Sequence, residues 1–336
     1  MVEERTSAEK RSTGDGLAWG SKQRLGRILR AREAGLAIVI LAICVILSIF
    51  TSSFLTAGNM FILVRQISLA AIIAIGMTFV ILTGGIDLSV GSTVALTSVL
   101  TGYLLVALKL PLVVGILVAL AVGLGVGSLN GFLVVKTHVH SFVITLGMLG
   151  IARGVALGFS GGNTTSGFGP AFLAIGQGSL FGLPVPFLIV IVLAIVAHVV
   201  LSRTSIGRHV YFVGSNTEAA VLSAIKVNWI LLTVFAVSGV LAALESIIET
   251  SYLATAQPSA GVGYELSAIG AVVIGGASLF GGVGTILGTM LGATLLGLIA
   301  NGLVQLGVSS YWQQAATGTV IIIAVALNTY RQRRGN

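Results

Sequence analysis

Charge is almost missing from this sequence. Asp, Glu, Lys and Arg together make up 8% of its 336 residues, where a soluble domain carries about 25%. No water-soluble packing around one core fits, and the chain reads as one integral membrane domain instead of the two soluble domains that length alone suggests. Acid is scarcest: between Glu33 and Glu218 the single acidic residue is Asp87. The one cysteine, Cys44, lies inside an apolar run and implies no disulfide. Catalytic signatures are missing too. No GxxxxGK[ST] occurs, so the chain is not expected to bind ATP itself, and neither HExxH nor GxSxG is found. His138 and His140 stand two apart with no acid or cysteine nearby, so no metal site is expected. These absences leave an intramembrane enzyme with little support.

Apolar residues, at 56% of the chain, fill the space left by charge, and the mean hydropathy is +1.06. A helix needs about 20 apolar residues to cross the bilayer core. Ten stretches approach that length: Gly35 to Ser52, Ile67 to Thr83, Val90 to Leu108, Leu112 to Val135, Phe142 to Phe159, Val185 to Leu201, Trp229 to Tyr252, Leu266 to Ala277, Val283 to Leu306 and Trp312 to Leu327. The expected fold is all-α and polytopic. Leu266 to Ala277 is short for a span and is expected to continue as broken or re-entrant backbone, which membrane depth tolerates only against protein or a watery cavity.

The net charge of +8 does not point to nucleic acid, because eight of the 18 basic residues precede Gly35 and three more fall in the last six positions. Such flanking charge sets orientation. With ten spans and an internal amino terminus, Lys136, Arg203 to Lys226 and Arg331 to Arg334 all fall on the cytoplasmic side, and Arg65 and Lys109 are isolated exceptions. The expected organisation is a basic cytoplasmic tail (1–34), one transmembrane domain (35–330) and a short cytoplasmic tail (331–336). The first apolar run is expected to remain as an anchor and not to be cleaved. The Gly-, Ser- and Thr-rich segment Gly161 to Pro186 reads as an external loop with turns or a short surface helix.

The charged stretch 203–227 is the largest interruption. It reads as a water-exposed loop whose second part, Thr217 to Lys226, winds into a short amphipathic helix. A pattern GGxxLxxG occurs twice, at Gly84 to Gly91 and Gly275 to Gly282, and Asn-Gly recurs downstream of each at 130–131 and 301–302. The two copies are oriented alike in this topology, so the repeat suggests a duplication without establishing an inverted one. Gly123, Gly127 and Gly131, and likewise Gly284, Gly288 and Gly292, recur every four residues and flatten one helix face for close packing.

Several polar residues are candidates for a translocation path or gating. Asp87, expected near the inner interface, joins Ser89 and Ser278 in the two motifs, and Gln257, Tyr311 and Gln313 lie near predicted outer ends. Amide and aromatic groups suit an uncharged polyhydroxylated solute, although aromatics at such ends also form the ordinary interfacial belt. Glu245 and Glu249 share one face of the seventh helix. They read as a wet external face, with a proton relay as the alternative.

ILTGGIDLSVGS (81–92), GRHVYFVGSNTEAAVLSAIKV (207–227), TAQPSAGVGYELSAIGAVVIGGASLFGGVGTILGTMLGA (255–293) and LGVSSYWQQAATGTVIIIAV (306–325) closely resemble the permease subunits of bacterial ribose-type sugar ABC importers. The likeness covers roughly residues 55 to 328 and excludes the amino-terminal tail. It implies inward transport of a monosaccharide by a permease dimer, formed with a second copy or a paralogue, in the plasma membrane. Its implied partners are a cytoplasmic ABC ATPase, which would hold ATP and Mg, and a periplasmic or lipid-anchored sugar-binding protein. The permease chain itself would hold no cofactor. Gly214, Asn216, Glu218, Ala219, Ala220 and Ile225 match the pattern of the loop that docks on the ATPase, with Ala224 standing where the family usually has Gly. Glu249 stands where the family commonly has Glu, whereas Glu245 is a departure. An ABC permease for another small polar solute such as autoinducer-2, and an ion-coupled secondary transporter, are the competing readings.

Overall fold

A computed structural model describes residues 33–309 and, beyond them, residues 312, 315, 316, 318, 319, 322 and 323. Among these, eight helices are long and apolar enough to cross a membrane: α1 (Glu33–Phe50), α2 (Ala57–Leu82), α3 (Val90–Gly102) with its continuation to Ala107, α4 (Leu112–Thr137), α5 (Ser141–Ser160), α7 (Val185–Arg203), α10 (Val227–Leu253) and α12 (Ile286–Gln305). The shorter α11 (Tyr264–Ile274) is a ninth apolar helix. The chain is thus an all-helical, multi-pass membrane protein. The tenth expected stretch, Trp312 to Leu327, falls mostly outside the described residues, as do both expected tails apart from Glu33 and Ala34.

Three short helices complete the order, α6 (Pro170–Gln177), α8 (Ser205–Ser215) and α9 (Thr217–Leu222). They mark the two ends of the bundle. At the α6 end, the expected external loop folds into α6, a β2–β3 hairpin (Ser179–Leu180 with Leu183–Pro184) and a two-residue strand β1 (Thr165–Ser166) paired with β4 (Thr255–Ala256). Helix α6 lies directly on α10: the Ser251 hydroxyl donates to the Phe172 carbonyl at 2.7 Å and accepts the Gly176 amide at 2.7 Å. Arg65, an isolated cation in the sequence, is spoken for here. It donates to the Gln177 carbonyl at 2.5 Å and lies over the Phe61 and Tyr252 rings, a placement that desolvates the guanidinium against π-faces.

The centre is built from the second half of α2 and the part of α10 beyond Val234, which are apolar on every side because neighbours cover most of their surface. Ile72, Ile75, Ile81, Phe235 and Ile248 are essentially fully buried. Without a hydrophobic driving force between helices in lipid, close packing and hydrogen bonds must hold them together. The glycine stripes supply the packing. A Cβ on Gly127 would strike the Phe235 carbonyl, and one on Gly239 would strike that of Gly123, so α4 and α10 touch backbone to backbone. The second stripe works likewise for Gly288 and Gly292, which meet the carbonyls of Gly275, just past α11, and Ala271, whereas Gly284, expected on the same helix face, lies before α12 in extended backbone. Hydroxyls and amides add bonds between helices: Thr78 to Thr289 at 2.8 Å, and the reciprocal pair Asn59 and Asn301 at 2.9 and 3.1 Å. By contrast α1, α4, α5 and α7 leave rows of large apolar side chains exposed, including Ile38, Leu117, Val143 and Val192.

The backbone is broken between apolar helices in three places. Residues 83–89 and 275–285 carry the two glycine motifs, and residues 254–263 turn back into the bundle after α10. In the last case the Gln257 amide meets the Ser98 hydroxyl at 3.3 Å, whereas Gly261 packs on Gly91, about 10 Å deeper along α3 at 1.5 Å per residue. The sequence expectation that Leu266 to Ala277 continues as broken backbone is met by residues 275–285, which follow α11, while the segment before α11 is an added re-entrant loop.

Gly127→Ala is expected to destabilise the purified protein by about 1–3 kcal/mol through overpacking. Gly125→Ala, with open space around its Cβ, is expected to stay near wild type; thermal unfolding in detergent compares the two.

Candidate functional site

The charged stretch 203–227 is two helices, not one. Its first part, read as loop from the sequence, is α8, and its second part is the six-residue α9. Helix α8 is amphipathic: Gly207, Val210 and Val213 are buried, while Arg208 and Phe212 face out. Thr204 caps it by accepting the Gly207 amide at 3.2 Å, one of the donors that helix starts leave unpaired. Asn216 ends α8 and starts α9, accepting the Ala219 amide at 2.9 Å. Of the residues matched to the docking loop, Ala220 is fully buried and Ile225 half-buried, so they anchor α9, whereas Glu218 is exposed. Val221 and Leu222 add an apolar tip, and Leu222 is 89% exposed. Ala224 adopts φ 57°, a left-handed conformation that costs a residue with a Cβ about 1–2 kcal/mol, which explains why glycine would suit this exit.

Helix α8 is seated on both glycine motifs at once. The Gly282 amide donates to the Leu82 carbonyl at 2.9 Å, and the Tyr211 hydroxyl donates to the Gly284 carbonyl at 2.8 Å. A Cβ on Gly214 would overlap the Leu82 carbonyl, and one on Gly281 would press on Gly84 and Gly214. The three segments therefore meet at backbone distance, with Gly84, Gly281 and Gly282 at positive φ, where glycine alone is unstrained. Burial pushes the Tyr211 phenol up to about 12, so it stays a protonated donor at neutral pH. Ser278 belongs to this junction, its hydroxyl accepting the Phe280 amide at 3.2 Å.

Asp87, expected near the inner interface, is buried within the bundle. It is 1% exposed, and its carboxylate accepts from the Ser89 amide at 3.0 Å, the Ser89 hydroxyl at 2.7 Å and the Ser238 hydroxyl at 2.8 Å. Ser238 lies eleven residues into α10, or about 16 Å along it. Asn130 donates to the Ser89 hydroxyl at 2.8 Å, and Ser141 and Thr145 of α5 hold the Ile86 amide and carbonyl. Asp87 and Ser89 thus knot α4 and α10 to the first motif, and Ile86 ties it to α5; neither Asp87 nor Ser89 lines the cavity described below.

The α6 end holds a half-open cavity of about 240 Å³, lined by Ser98, Glu249, Thr250, Gln257, Ser259 and Tyr264 among others. The Tyr264 hydroxyl donates to Glu249, and Ser98 and Thr250 share a hydrogen bond of 2.7 Å. The wet face expected for the glutamate pair does not form: Glu249 is 8% exposed and Glu245 fully buried, with neither Glu245 oxygen hydrogen-bonded among the described residues. The reason is that α10 is covered around this pair, every residue from Leu241 to Ser251 except Leu244 being buried, so no water-facing stripe is left there. Arg153 of α5, which the sequence reading passed over, donates to the Pro258 and Ala260 carbonyls at 2.8 and 2.7 Å and to the Gly91 carbonyl at 3.2 Å. It braces the re-entrant loop that walls the cavity. An isolated cation inside an apolar span was the signal that could have found it.

The sequence candidates accordingly separate by depth: Ser278 at the α8 junction, Asp87 and Ser89 in the buried knot, Gln257 at the cavity. Tyr311 and Gln313 lie outside the described residues. His138 and His140 occupy the α4–α5 turn, where His140 accepts the Phe142 amide at 3.4 Å.

Asp87→Ala strands the Ser89 and Ser238 donors and is expected to destabilise the protein by about 1–3 kcal/mol. Asp87→Asn, which keeps an acceptor, should lose less; chemical or thermal unfolding of the two variants in detergent separates them.

Comparison with known proteins agrees with this architecture. A family model described as the branched-chain amino acid transport system permease component matches residues 59–325. The ribose import permease protein RbsC of Haemophilus influenzae is 43% identical over 314 residues, covering 92% of this chain and 96% of that protein. Its Bacillus subtilis namesake is 42% identical over 311 residues, covering 92% and 94%. The D-allose transport system permease protein AlsC of Escherichia coli is 39% identical over 290 residues, covering 85% and 89%. No solved structure matches. With most of its length matched on both counts, the chain belongs to the permease family of the branched-chain amino acid transport system type.

Proposed function

We propose that this chain is the membrane-spanning subunit of an ATP-driven importer that moves a monosaccharide, a ribose-like pentose or a hexose, inward across the bacterial plasma membrane. The names of its relatives, ribose and D-allose permeases, support the substrate class. The observation that carries the transport reading is the seating of α8 and α9. A pair of small helices projects from the bundle with an exposed apolar tip and an exposed acid, and its inner side rests on the loops that end α2 and begin α12. Such a surface suits a docked subunit that pushes, and the absence of a phosphate-binding loop from the sequence gives that subunit its task. ATP and Mg would sit on this cytoplasmic ATPase, and the chain itself would hold no cofactor and catalyse no hydrolysis.

In this reading the α8 end faces the cytoplasm together with both termini, and the α6 end faces a periplasmic or lipid-anchored binding protein that delivers the sugar. A second permease, a copy or a paralogue, covers part of the exposed apolar surface and completes the pore. ATP binding closes the ATPase dimer, the α8–α9 pairs move as levers, and the two permease subunits alternate between outward and inward openings. Passage needs only weak affinity, because tight binding within the pore would slow release. A permease for autoinducer-2 or another small polar solute would share this coupling and differ in the molecule delivered.

Glu218→Lys together with Leu222→Asp is expected to reduce sugar-stimulated ATP hydrolysis and uptake at least tenfold in a reconstituted complex, since a buried leucine is worth about 1.5–3 kcal/mol at an interface and 1.4 kcal/mol is tenfold. Undiminished hydrolysis and uptake would contradict docking at this tip, and uptake driven by an ion gradient with no ATPase present would contradict the importer reading as a whole.

A further inference from the structure

We propose that the cavity at the outer end of α10 is a weak monosaccharide subsite belonging to the permease itself, with Glu249 and Gln257 as its recognition pair. This rests on the importer reading for the identity of the ligand, and on the geometry of the cavity for its existence.

Size and chemistry agree. At about 240 Å³ the cavity falls below the ~300 Å³ at which pockets for drug-sized ligands begin, which suits one sugar ring. Its lining combines hydroxyls from Ser98, Thr250 and Ser259, an amide, a carboxylate and an aromatic ring. Among the described residues no cation lines it, and the nearby Arg153 is committed to the carbonyls of Pro258, Ala260 and Gly91. An anionic solute would therefore meet Glu249 without compensation, whereas a neutral polyol meets acceptors and donors in alternation. Carboxylates and amides each pair with adjacent hydroxyls, and an aromatic face accepts the apolar side of a sugar ring.

The groups are also held in place before any ligand arrives. Tyr264 donates to one oxygen of Glu249, and among the described residues the other oxygen accepts no hydrogen bond. The Gln257 side-chain amide donates to the Thr255 hydroxyl at 3.1 Å, which leaves its carbonyl oxygen as an acceptor, and its backbone amide is tied to Ser98 at 3.3 Å. The loop bearing Gln257 and Ser259 is fixed by three Arg153 hydrogen bonds and by the Gly91–Gly261 backbone contact. One turn below Glu249, the carboxyl of Glu245 is fully buried with no hydrogen-bond partner among the described residues. The cavity thus stands over a second polar group that packing alone does not explain.

The test is direct binding of D-ribose to the purified full-length chain in nanodiscs, followed by saturation-transfer NMR. The expected result is saturable binding in the millimolar range, weakened about tenfold by Glu249→Gln and by Gln257→Ala, the loss of one hydrogen bond to a charged or amide group. Thr233→Ala, at a half-buried position of α10 near the α8 end, should leave binding unchanged. Ser259→Ala, at an exposed loop position, gives a second reading that does not depend on a helix variant folding and should weaken binding. Absence of saturable binding by the wild type, or binding equal to wild type in Glu249→Gln, Gln257→Ala and Ser259→Ala, would overturn the subsite. A complete complex that imports ribose while the isolated chain shows no saturable binding overturns the subsite alone. A chain that binds ribose yet imports it without an ATPase overturns the importer reading alone.

Discussion

The contact on which this architecture depends is the meeting of three backbones at Leu82, Gly214 and Gly282. The Gly282 amide reaches the Leu82 carbonyl at 2.9 Å, and Gly214 of α8 approaches so closely that a single added methyl would overlap that carbonyl. Both glycine motifs and the projecting helix pair therefore share one junction. A side chain at Gly214 or Gly282 would separate them, and a displacement of α8 cannot be absorbed by side-chain rearrangement because none stands between the backbones. Packed interfaces of this kind shift as units instead of deforming smoothly.

From the junction two routes lead inward. One follows the second motif into α12, whose glycines press on α11. The other follows the first motif to Asp87, where a buried carboxylate holds α10 through Ser238 and α4 through Ser89 and Asn130. A buried carboxylate is costly unless its hydrogen bonds are satisfied, and here three donors meet it. Helix α10 then runs the full depth of the bundle, from the exit of α9 to the cavity beside Glu249. One helix thus joins the α8–α9 end of the bundle to the cavity at the other.

Much of the fold was legible because membranes impose simple rules. Long apolar runs become helices, and nine of the ten expected stretches correspond to helices, within limits that shift by up to ten residues, as at α2. The glycine stripes predicted flat faces, and those faces form except at Gly284, which precedes α12. Helix α8 escaped notice because its apolar face is made of two valines and two glycines, Gly207, Val210, Val213 and Gly214, too sparse a pattern to stand out beside charged neighbours. The glutamate pair was misjudged for a different reason: spacing puts Glu245 and Glu249 on one face of a helix but says nothing about what covers that face. Arg153 and the re-entrant loop show the same limit. A cation among apolar residues is visible in sequence, but the carbonyls that it gathers from residues 91, 258 and 260 are brought together only by the fold.

Sugar carried per ATP hydrolysed, measured in proteoliposomes holding the complete complex, tests the central claim most directly when made on Gly214→Ala. The variant leaves the exposed face of α9 intact and forces α8 away from the Leu82 carbonyl. The account predicts that the ATPase still assembles and hydrolyses ATP while the transport ratio falls severalfold. A ratio equal to that of the wild type would contradict the junction as the point where force enters the membrane.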